Sequence, residues 1–171
     1  MVVYPASWID VKPTDRPVLS HPEIEGKRLV DAMDSGWLED EARHEWTSDP
    51  EATDVLRRYA YADVRTRPLT DAGRIIRKSE RFRVTATPGR DLTIVMRTDA
   101  WYPNRIDVQV DGAPAGTWSI AASESAWVEP TFTIPARLLE HPRPTLRLTR
   151  IEPGEAEAEH DYAPFHYWLY Q

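Results

Sequence analysis

The sequence predicts an all-β protein: a single antiparallel β-sandwich with jelly-roll topology, about eight to ten strands and little helix. Short segments in which apolar and polar residues alternate recur through the second half of the chain. Fifteen prolines and seven glycines punctuate the chain, and an Asp-Gly turn separates two of the alternating segments. Short strands divided by such residues are typical of sandwiches and jelly rolls.

Length and composition exclude several functional classes. A chain of 171 residues is expected to form one domain with a self-sufficient core. The absence of cysteine excludes disulfides, Cys-ligated zinc, iron–sulfur clusters and thiol nucleophiles. The net charge of −7 argues against a nucleic-acid partner, because phosphate binding needs clustered surplus Lys and Arg. No segment is apolar over enough residues to be predicted as a membrane span.

The first part of the chain is rich in proline and has no sustained hydrophobic period. Residues 1–26 are therefore predicted to form an extended segment that wraps around a β-sandwich formed by residues 27–171. One short strand is expected around residues 8–11. Residues 25–33 suggest a short helix, which Ser35-Gly36 would end.

Residues 55–64 are predicted to form a strand, although a helix is a competing interpretation. The strand is favoured because Tyr59 and Tyr61 alternate with small residues. A hairpin is predicted next: Phe82 and the alternating residues after it lead to a turn at residues 88–91, and an apolar run follows at residues 92–97.

A second hairpin has the stronger signal. Ile106, Val108 and Val110 alternate with polar residues, and Asp111-Gly112 then leads into residues 115–120. Further strands are predicted from the apolar residues at 128–134, 146–148 and 165–169. The acidic run that follows Pro153-Gly154 is interpreted as a solvated loop.

The sequence lacks the common catalytic signatures. It has no Gly-rich phosphate loop, no Gly-x-Ser-x-Gly elbow and no His-Glu-x-x-His, and its histidines are not spaced as metal-binding pairs. No cofactor is expected. A structural Ca²⁺ held by loop carboxylates is considered, although no regular oxygen-ligand spacing supports it. Glu39, Asp40 and Glu41 are consecutive, whereas carboxylates that share a cleft on one strand would alternate.

The segment from Trp37 to Trp46 is the first candidate ligand site. Two tryptophans flank Glu39 and Arg43, which would supply aromatic faces for sugar rings and charged planar groups for vicinal hydroxyls. A purely structural interpretation competes with this one. In that interpretation the two tryptophans plug one end of the sandwich, and Glu39 forms an ion pair with Arg43.

The loop at residues 100–105 is the second candidate site. It contains adjacent Trp101 and Tyr102 together with Asn104, and loops at the rim of a sandwich commonly carry ligand groups. Trp127 is a third candidate, because its position in the strand alternation opposes that of Val128. Trp127 would either face a ligand or lie beneath the N-terminal segment.

The order of these segments resembles the galactose-binding-like jelly rolls that occur as carbohydrate-binding modules and accessory domains. The resemblance covers about residues 36–170. It rests on a Pro-Gly turn at residues 88–89, a Val-Asp-Gly hairpin at residues 110–112 and a strand that ends in Ile134-Pro135. Related domains occur as extracytoplasmic parts of bacterial membrane glycosyltransferases, in which a Gly-aromatic-x-x-Glu segment precedes an Arg-x-Trp-like strand. Residues 36–46 are similar to that pattern.

The resemblance implies a non-catalytic accessory module that binds carbohydrate and belongs to a larger bacterial surface or membrane protein. An extracytoplasmic or cell-surface location is implied for such a parent protein. Two alternatives remain open. One is a structural or protein-interaction β-sandwich without a small-molecule ligand, in which the aromatic residues form the core and an exposed sheet edge meets a protein partner. The other is a glycoside hydrolase that uses Glu39 or Glu41 as an acid.

Overall fold

The computed structural model describes residues 16–62, 67–99, 101–123, 126–151 and 162–171, and these contain twelve strands and one α-helix. The little helix expected is confirmed, but the strands outnumber the eight to ten expected. Helix α1 spans Leu38–Arg43, and short 3-10 turns lie at Pro22–Ile24 and Ala136–Leu138. The strands are β1 (Leu29–Asp34), β2 (Thr47–Asp49), β3 (Thr53–Tyr61), β4 (Leu69–Ile75), β5 (Ser79–Arg83), β6 (Leu92–Thr98), β7 (Asn104–Val110), β8 (Ala113–Ile120), β9 (Ala126–Trp127), β10 (Thr131–Ile134), β11 (Thr145–Arg150) and β12 (Pro164–Tyr170).

Two antiparallel sheets form the sandwich, which confirms the predicted fold class. One sheet has the strand order β1-β12-β6-β10, and the other has the order β2-β5-β11-β7-β8. A smaller sheet, β4-β3-β9, lies against the start of β12. The approach is close at Gly73 of β4, where an added Cβ would lie only 2.8 Å from the ring of Phe165.

Apolar side chains from both large sheets fill the interior between them. The four-stranded sheet contributes Ile94, Met96 and Tyr167, and the five-stranded sheet contributes Phe82 and Leu148. Along β7 every second residue is buried, as the alternation of apolar residues predicts. The other face of the four-stranded sheet is also covered, so that all seven residues of β12 are buried.

The hairpin β7–β8 is confirmed. Asp111 and Gly112 both adopt positive φ, 50° and 85°, and they form the two-residue turn that an Asp-Gly pair favours. The predicted strand at 55–64 is also confirmed, as β3 over the residues that the structure describes. The segments at 8–11 and 153–161 lie outside the described residues.

The predicted hairpin at 82–97 is wrong, because its two strands lie in opposite sheets. Strand β5 pairs with β2 and β11, whereas β6 pairs with β12 and β10. The connection crosses from one sheet to the other. Its backbone N–H groups at Val84 and Ala86 donate to the carbonyl oxygens of Pro144 and Pro142 instead of to β6.

The predicted helix at 25–33 is also wrong, since this segment contains strand β1. Met33 lies opposite Tyr167 of β12, and its side chain is fully buried in the main core. Pairing with a central strand therefore outweighs the weak local preference for a helix. Gly36, with a φ of 93°, follows the end of β1.

A buried carboxylate, Glu80 of β5, binds three donors inside the sandwich. One oxygen accepts hydrogen bonds from the hydroxyls of Tyr162 and Tyr167, at 2.9 and 2.6 Å, and the other accepts from the indole of Trp46 at 2.7 Å. Burial raises the pKa of Glu80, and the three hydrogen bonds act in the opposite direction. The Glu80 carboxylate therefore links β5 to β12 and to the residue that precedes β2 through hydrogen bonds.

Glu129 anchors the N-terminal segment. Its side chain has no exposed surface, and it accepts hydrogen bonds from the backbone N–H groups of Val18 and Leu19 at 2.9 and 2.8 Å. The ring of His21 lies 3.3 Å from the same oxygen. Burial alone would raise the pKa of Glu129, but the contacts from His21, Tyr61 and the two backbone groups hold it below its ordinary value. The carboxylate is therefore kept charged inside the protein.

Arg97 of β6 extends this anchor into a network. Its guanidinium donates to the hydroxyl of Tyr61 at 2.8 Å and to the carboxylate of Asp71 at 2.7 Å, and it lies 3.5 Å from Glu129. The same group lies over the ring of Trp168, 4.9 Å from its centroid. Because Tyr61 is on β3 and Asp71 is on β4, Arg97 joins the smaller sheet to the sandwich.

We expect Glu129→Ala to destabilise the protein by about 3–5 kcal/mol. The variant leaves the Tyr61 hydroxyl and two backbone N–H groups without their acceptor, and it removes one of the two carboxylates beside the buried Arg97. Urea unfolding measures the change. Glu129→Gln keeps an acceptor oxygen and is expected to cost less. The exposed Glu23 provides the surface control, and equal costs for Glu129→Ala and Glu23→Ala would contradict the role of this anchor.

Candidate functional site

Three strand ends meet at one end of the four-stranded sheet. Asp34, the last residue of β1, lies opposite His166 of β12, and Thr98 at the end of β6 lies opposite Pro164 at the start of β12. The loops that follow β1 and β6 therefore emerge at the same end of the sandwich. These two loops carry the exposed tryptophans of the sequence candidates.

The loop after β6 presents two adjacent aromatic side chains to solvent. Trp101 and Tyr102 are 49% and 48% exposed. The loop is held from beneath, because the buried Asn104 donates to the carbonyl oxygen of Tyr102 at 3.2 Å. The backbone N–H of Trp101 donates to the carbonyl oxygen of Asp99 at 3.0 Å. Asn104 thus supports the loop from inside rather than facing solvent.

Trp101 is the exposed end of a row of four aromatic rings. Its indole N–H donates to the hydroxyl of Tyr59 at 3.2 Å, and the two ring centroids are 6.4 Å apart. Tyr59 meets Trp127 edge-on at 5.3 Å, and Trp127 meets Phe165 at 4.6 Å. Such edge-to-face contacts are favourable and directional. The exposed ring is therefore fixed to a buried support.

The structure shows which of the two predicted environments Trp127 occupies. It is only 1% exposed, and its indole N–H donates to the carbonyl oxygen of Leu69 at 3.1 Å. Leu19 of the N-terminal segment packs on the cluster that contains it. The side chain therefore does not face solvent, and it lies with its neighbours under that segment.

An ion pair lies beside the Trp101 loop. Arg57 of β3 donates to the carboxylate of Asp99 at 3.0 Å, and the Arg57 side chain remains 36% exposed. Burial raises the pKa of Asp99 to about 6, although the nearby Arg57 acts in the opposite direction. Arg57 and Tyr59 are two residues apart on one strand, so they share a face. None of these three residues is among the site residues predicted from the sequence.

The loop after β1 leads into α1 and carries the other exposed tryptophan. Trp37 is 49% exposed, and Glu39 is exposed on the helix that follows. The expected ion pair between Glu39 and Arg43 is wrong, because Arg43 pairs with Asp40. Residues three and four apart on a helix are both neighbours, so Asp40 and Glu39 could each reach Arg43, and the structure pairs Arg43 with Asp40.

Trp46 does not join Trp37 in one aromatic surface. It is half-buried against the main core, where its indole donates to Glu80 and the guanidinium of Arg74 lies 5.6 Å from its ring centroid. The idea that both tryptophans plug the sandwich is therefore wrong for Trp37. Glu41 is also held inside, since Arg74 donates to both of its oxygens at 2.6 and 2.8 Å.

Beneath the loop after β1 lies a pair of buried titratable groups. Burial raises the pKa of Asp34 to about 8, the nearby Asp71 and Glu41 raise it too, and Arg97 opposes them. The ring of His166 packs on Trp168 at 4.3 Å, and neither of its nitrogens has a hydrogen-bond partner among the described residues. Burial, reinforced by Arg97, lowers the pKa of His166 to about 3.

Among the described residues, no group of three or more His, Asp or Glu side chains comes together as a metal site. Within the same residues, no helix is long and apolar enough to cross a membrane. No protein-family model matches the chain, and no curated protein matches it either.

Solved structures do match. A family 35 carbohydrate-binding module from an environmental isolate has a TM-score of 0.50 at 12% identity, and the match covers 81% of this chain and 90% of the module. The chain shares the fold of this module. A family 115 4-O-methyl-α-glucuronidase with specificity for decorated arabinogalactans also scores 0.50, at 10% identity, over 92% of this chain and 19% of the enzyme.

A third matched structure contains a sugar. It is a carbohydrate-binding module of Cellvibrio mixtus lichenase 5A in complex with cellotriose, with a TM-score of 0.49 at 10% identity. The match covers 84% of this chain and 98% of that module. The likeness to the family 35 module is one of fold, and it confirms the β-sandwich class inferred from the sequence.

We expect Trp101→Phe and Trp37→Phe each to remove fluorescence that acrylamide quenches readily, because both indoles are about half exposed. Trp127→Phe removes a buried indole and is expected to leave the quencher-accessible fraction unchanged. Quenching titrations of the three variants against the wild type measure this. A drop in accessible fluorescence for Trp127→Phe equal to that for Trp101→Phe would contradict the described arrangement.

We expect Asp34→Asn to become more stable relative to the wild type as the pH rises from 3.8 to about 8. In that range the folded wild type retains a proton that the unfolded chain releases, so the wild type loses stability with rising pH. The asparagine variant lacks this loss. Urea unfolding over this pH range measures it, with the exposed Asp49→Asn as the control. A pH-independent difference for Asp34→Asn would contradict the raised pKa.

Proposed function

We propose that this protein is a non-catalytic carbohydrate-binding module and that the Trp101 loop is its sugar-binding platform. The observation that carries the proposal is the exposed Trp101, which is held by a hydrogen bond and an edge contact to Tyr59. The flat face of an indole suits the apolar C–H surface of a sugar ring. The β-sandwich fold, which carbohydrate-binding modules share, supports this assignment.

The surroundings of Trp101 supply groups for sugar hydroxyls. The partly exposed Arg57 lies beside the loop through its pair with Asp99, and its planar guanidinium can donate to two vicinal hydroxyls. Tyr102 offers a second exposed ring next to Trp101. Because the loop is braced by Asn104, binding needs little ordering of the chain, and this lowers its entropic cost.

The arrangement of the acidic residues favours binding over catalysis. Glu41 is buried in its pair with Arg74, and Asp40 pairs with Arg43. Glu39 is exposed on α1. Glycoside hydrolysis needs a second carboxylate placed across a sugar from the first, and two of the three consecutive acids are engaged in ion pairs. We therefore place the protein among binding modules.

The module is proposed to serve as an accessory part of a larger bacterial protein outside the cytoplasm. The support is the match to a domain-sized part of the glucuronidase, which amounts to 19% of that enzyme. A link to membrane glycosyltransferases rests on the resemblance of residues 36–46 alone. Sequencing of the genomic region on both sides of this chain tests the proposal, and a coding region that ends at both ends of the chain overturns it.

We expect Trp101→Ala to weaken sugar binding by about tenfold or more, since it removes the apolar platform. A glycan array first identifies a bound sugar, and affinity electrophoresis in the corresponding polysaccharide then compares the variants. Trp37→Ala is the matched control, because it removes an equally exposed indole from the other loop. Absence of binding to every glycan on the array, or equal affinities of Trp101→Ala and the wild type, would overturn the proposal.

A further inference from the structure

Two arginines lie side by side on the outer face of the five-stranded sheet. Arg81 of β5 is directly opposite Arg147 of β11, and both side chains are exposed. Directly opposed residues on antiparallel strands have Cα atoms only about 4.5–5.5 Å apart. Like charges at such positions repel and disfavour the folded state. The proximity of the two arginines therefore does not stabilise the folded state.

Neither guanidinium group has a hydrogen bond or an ion pair with any residue that the structure describes. The next outward-facing arginine along β5 differs in this respect, because Arg83 forms an ion pair with Glu45 at 3.3 Å. Two adjacent donors with no acceptor among the described residues leave a local positive charge in a chain whose net charge is −7. An acceptor from outside the chain would relieve their repulsion.

The two arginines line a hollow of about 180 Å³. The hollow is also lined by Thr47, Ser48, Asp49, Ser79 and Glu80. Of these, Thr47, Asp49 and Ser79 share the outward face of the sheet with the two arginines, whereas Ser48 and Glu80 face the other way. Pockets for drug-sized ligands begin at about 300 Å³, so this hollow suits one small group of a larger molecule. A second hollow of about 70 Å³ shares Arg81 and continues along β5 past Arg83.

We propose that the Arg81–Arg147 hollow is a second binding site, which takes a single carboxylate or sulfate group of an acidic polysaccharide. Each guanidinium donates to one oxygen of the anion, and the exposed hydroxyl of Thr47 meets a hydroxyl of the attached sugar. The site is separate from the Trp101 loop, because it lies in mid-sheet whereas that loop lies at the end of the sandwich.

The charged residues around the hollow indicate which acidic polysaccharides it can bind. Asp49 lies opposite Ser79, two residues along β5 from Arg81, and this is about 6.8 Å at the rise of a strand. A second anionic group on the ligand would therefore meet a carboxylate. Together with the net charge of −7, this favours a chain that is mainly neutral with isolated anionic substituents and disfavours a nucleic acid.

The test uses pectins that differ only in methyl esterification. We expect the wild type to bind a mostly esterified pectin, which carries isolated carboxylates, more tightly than a fully esterified one. Arg81→Gln and Arg147→Gln are each expected to remove this preference, with a loss of about tenfold in affinity for the mostly esterified polymer. Carrageenan in place of pectin tests a sulfate group in the same way.

Arg137→Gln is the matched control, because it makes the same change of charge at an exposed position outside the hollow. An equal loss of affinity in this variant would show non-specific attraction and overturn the proposal. No preference of the wild type for the acidic pectin or for carrageenan, or tighter binding to single-stranded DNA, would overturn it as well. Urea unfolding shows whether Arg147→Gln retains the fold. Because the substitution relieves the repulsion between the two arginines, its urea midpoint is expected to equal or exceed that of the wild type.

The variant Trp101→Ala separates this proposal from the first. If the two sites are independent, Trp101→Ala keeps the preference for acidic over fully esterified pectin, although its affinity for neutral sugar falls. Loss of the preference in Trp101→Ala but not in Arg81→Gln would place the anion at the Trp101 loop and overturn the assignment to the sheet face.

Discussion

The guanidinium of Arg97 connects the four-stranded sheet to the elements that lie over it. It contacts Tyr61, Asp71 and Glu129 in a region from which water is excluded, and Glu129 in turn binds the backbone at residues 18–19. Two carboxylates near one cation tolerate burial only when every donor and acceptor is matched. The smaller sheet and residues 18–19 are therefore held in place by hydrogen bonds and not only by apolar contact.

The position of the proposed sugar-binding loop follows from this network. Tyr59, which contacts Trp101, is two residues before Tyr61 on β3. Because Arg97 binds Tyr61, the strand that Arg97 fixes also positions the exposed ring of Trp101. Trp127 and Phe165 support Tyr59 from the side of the core. A loop at the rim of a sandwich is ordinarily the most variable part of the fold. Here its orientation depends on interior contacts that come from four separate strands.

Local patterns predicted the strands well and their partners poorly. The alternation of Ile106, Val108 and Val110 and the Asp-Gly turn act between neighbours in the sequence, and β7–β8 formed as expected. The turn at 88–91 sends the same local signal, yet it connects two sheets, because the pairing of β5 with β11 is decided by residues far apart in the chain. The contact of Arg57 with Asp99 is long-range as well, so only exposed Trp101 and Tyr102 were recognisable from sequence.

The row of rings from Trp101 to Phe165 has a consequence for how affinity can vary among related chains. In the proposed site the exposed indole contacts the ligand, but its angle depends on a row of rings that ends in the buried Trp127 and Phe165. Substitutions at the buried end can therefore alter the strength of binding without changing the chemical groups that a ligand meets. Sequence divergence among the buried residues would then change ligand affinity without changing the exposed residues. A comparison of exposed residues alone would not detect this change.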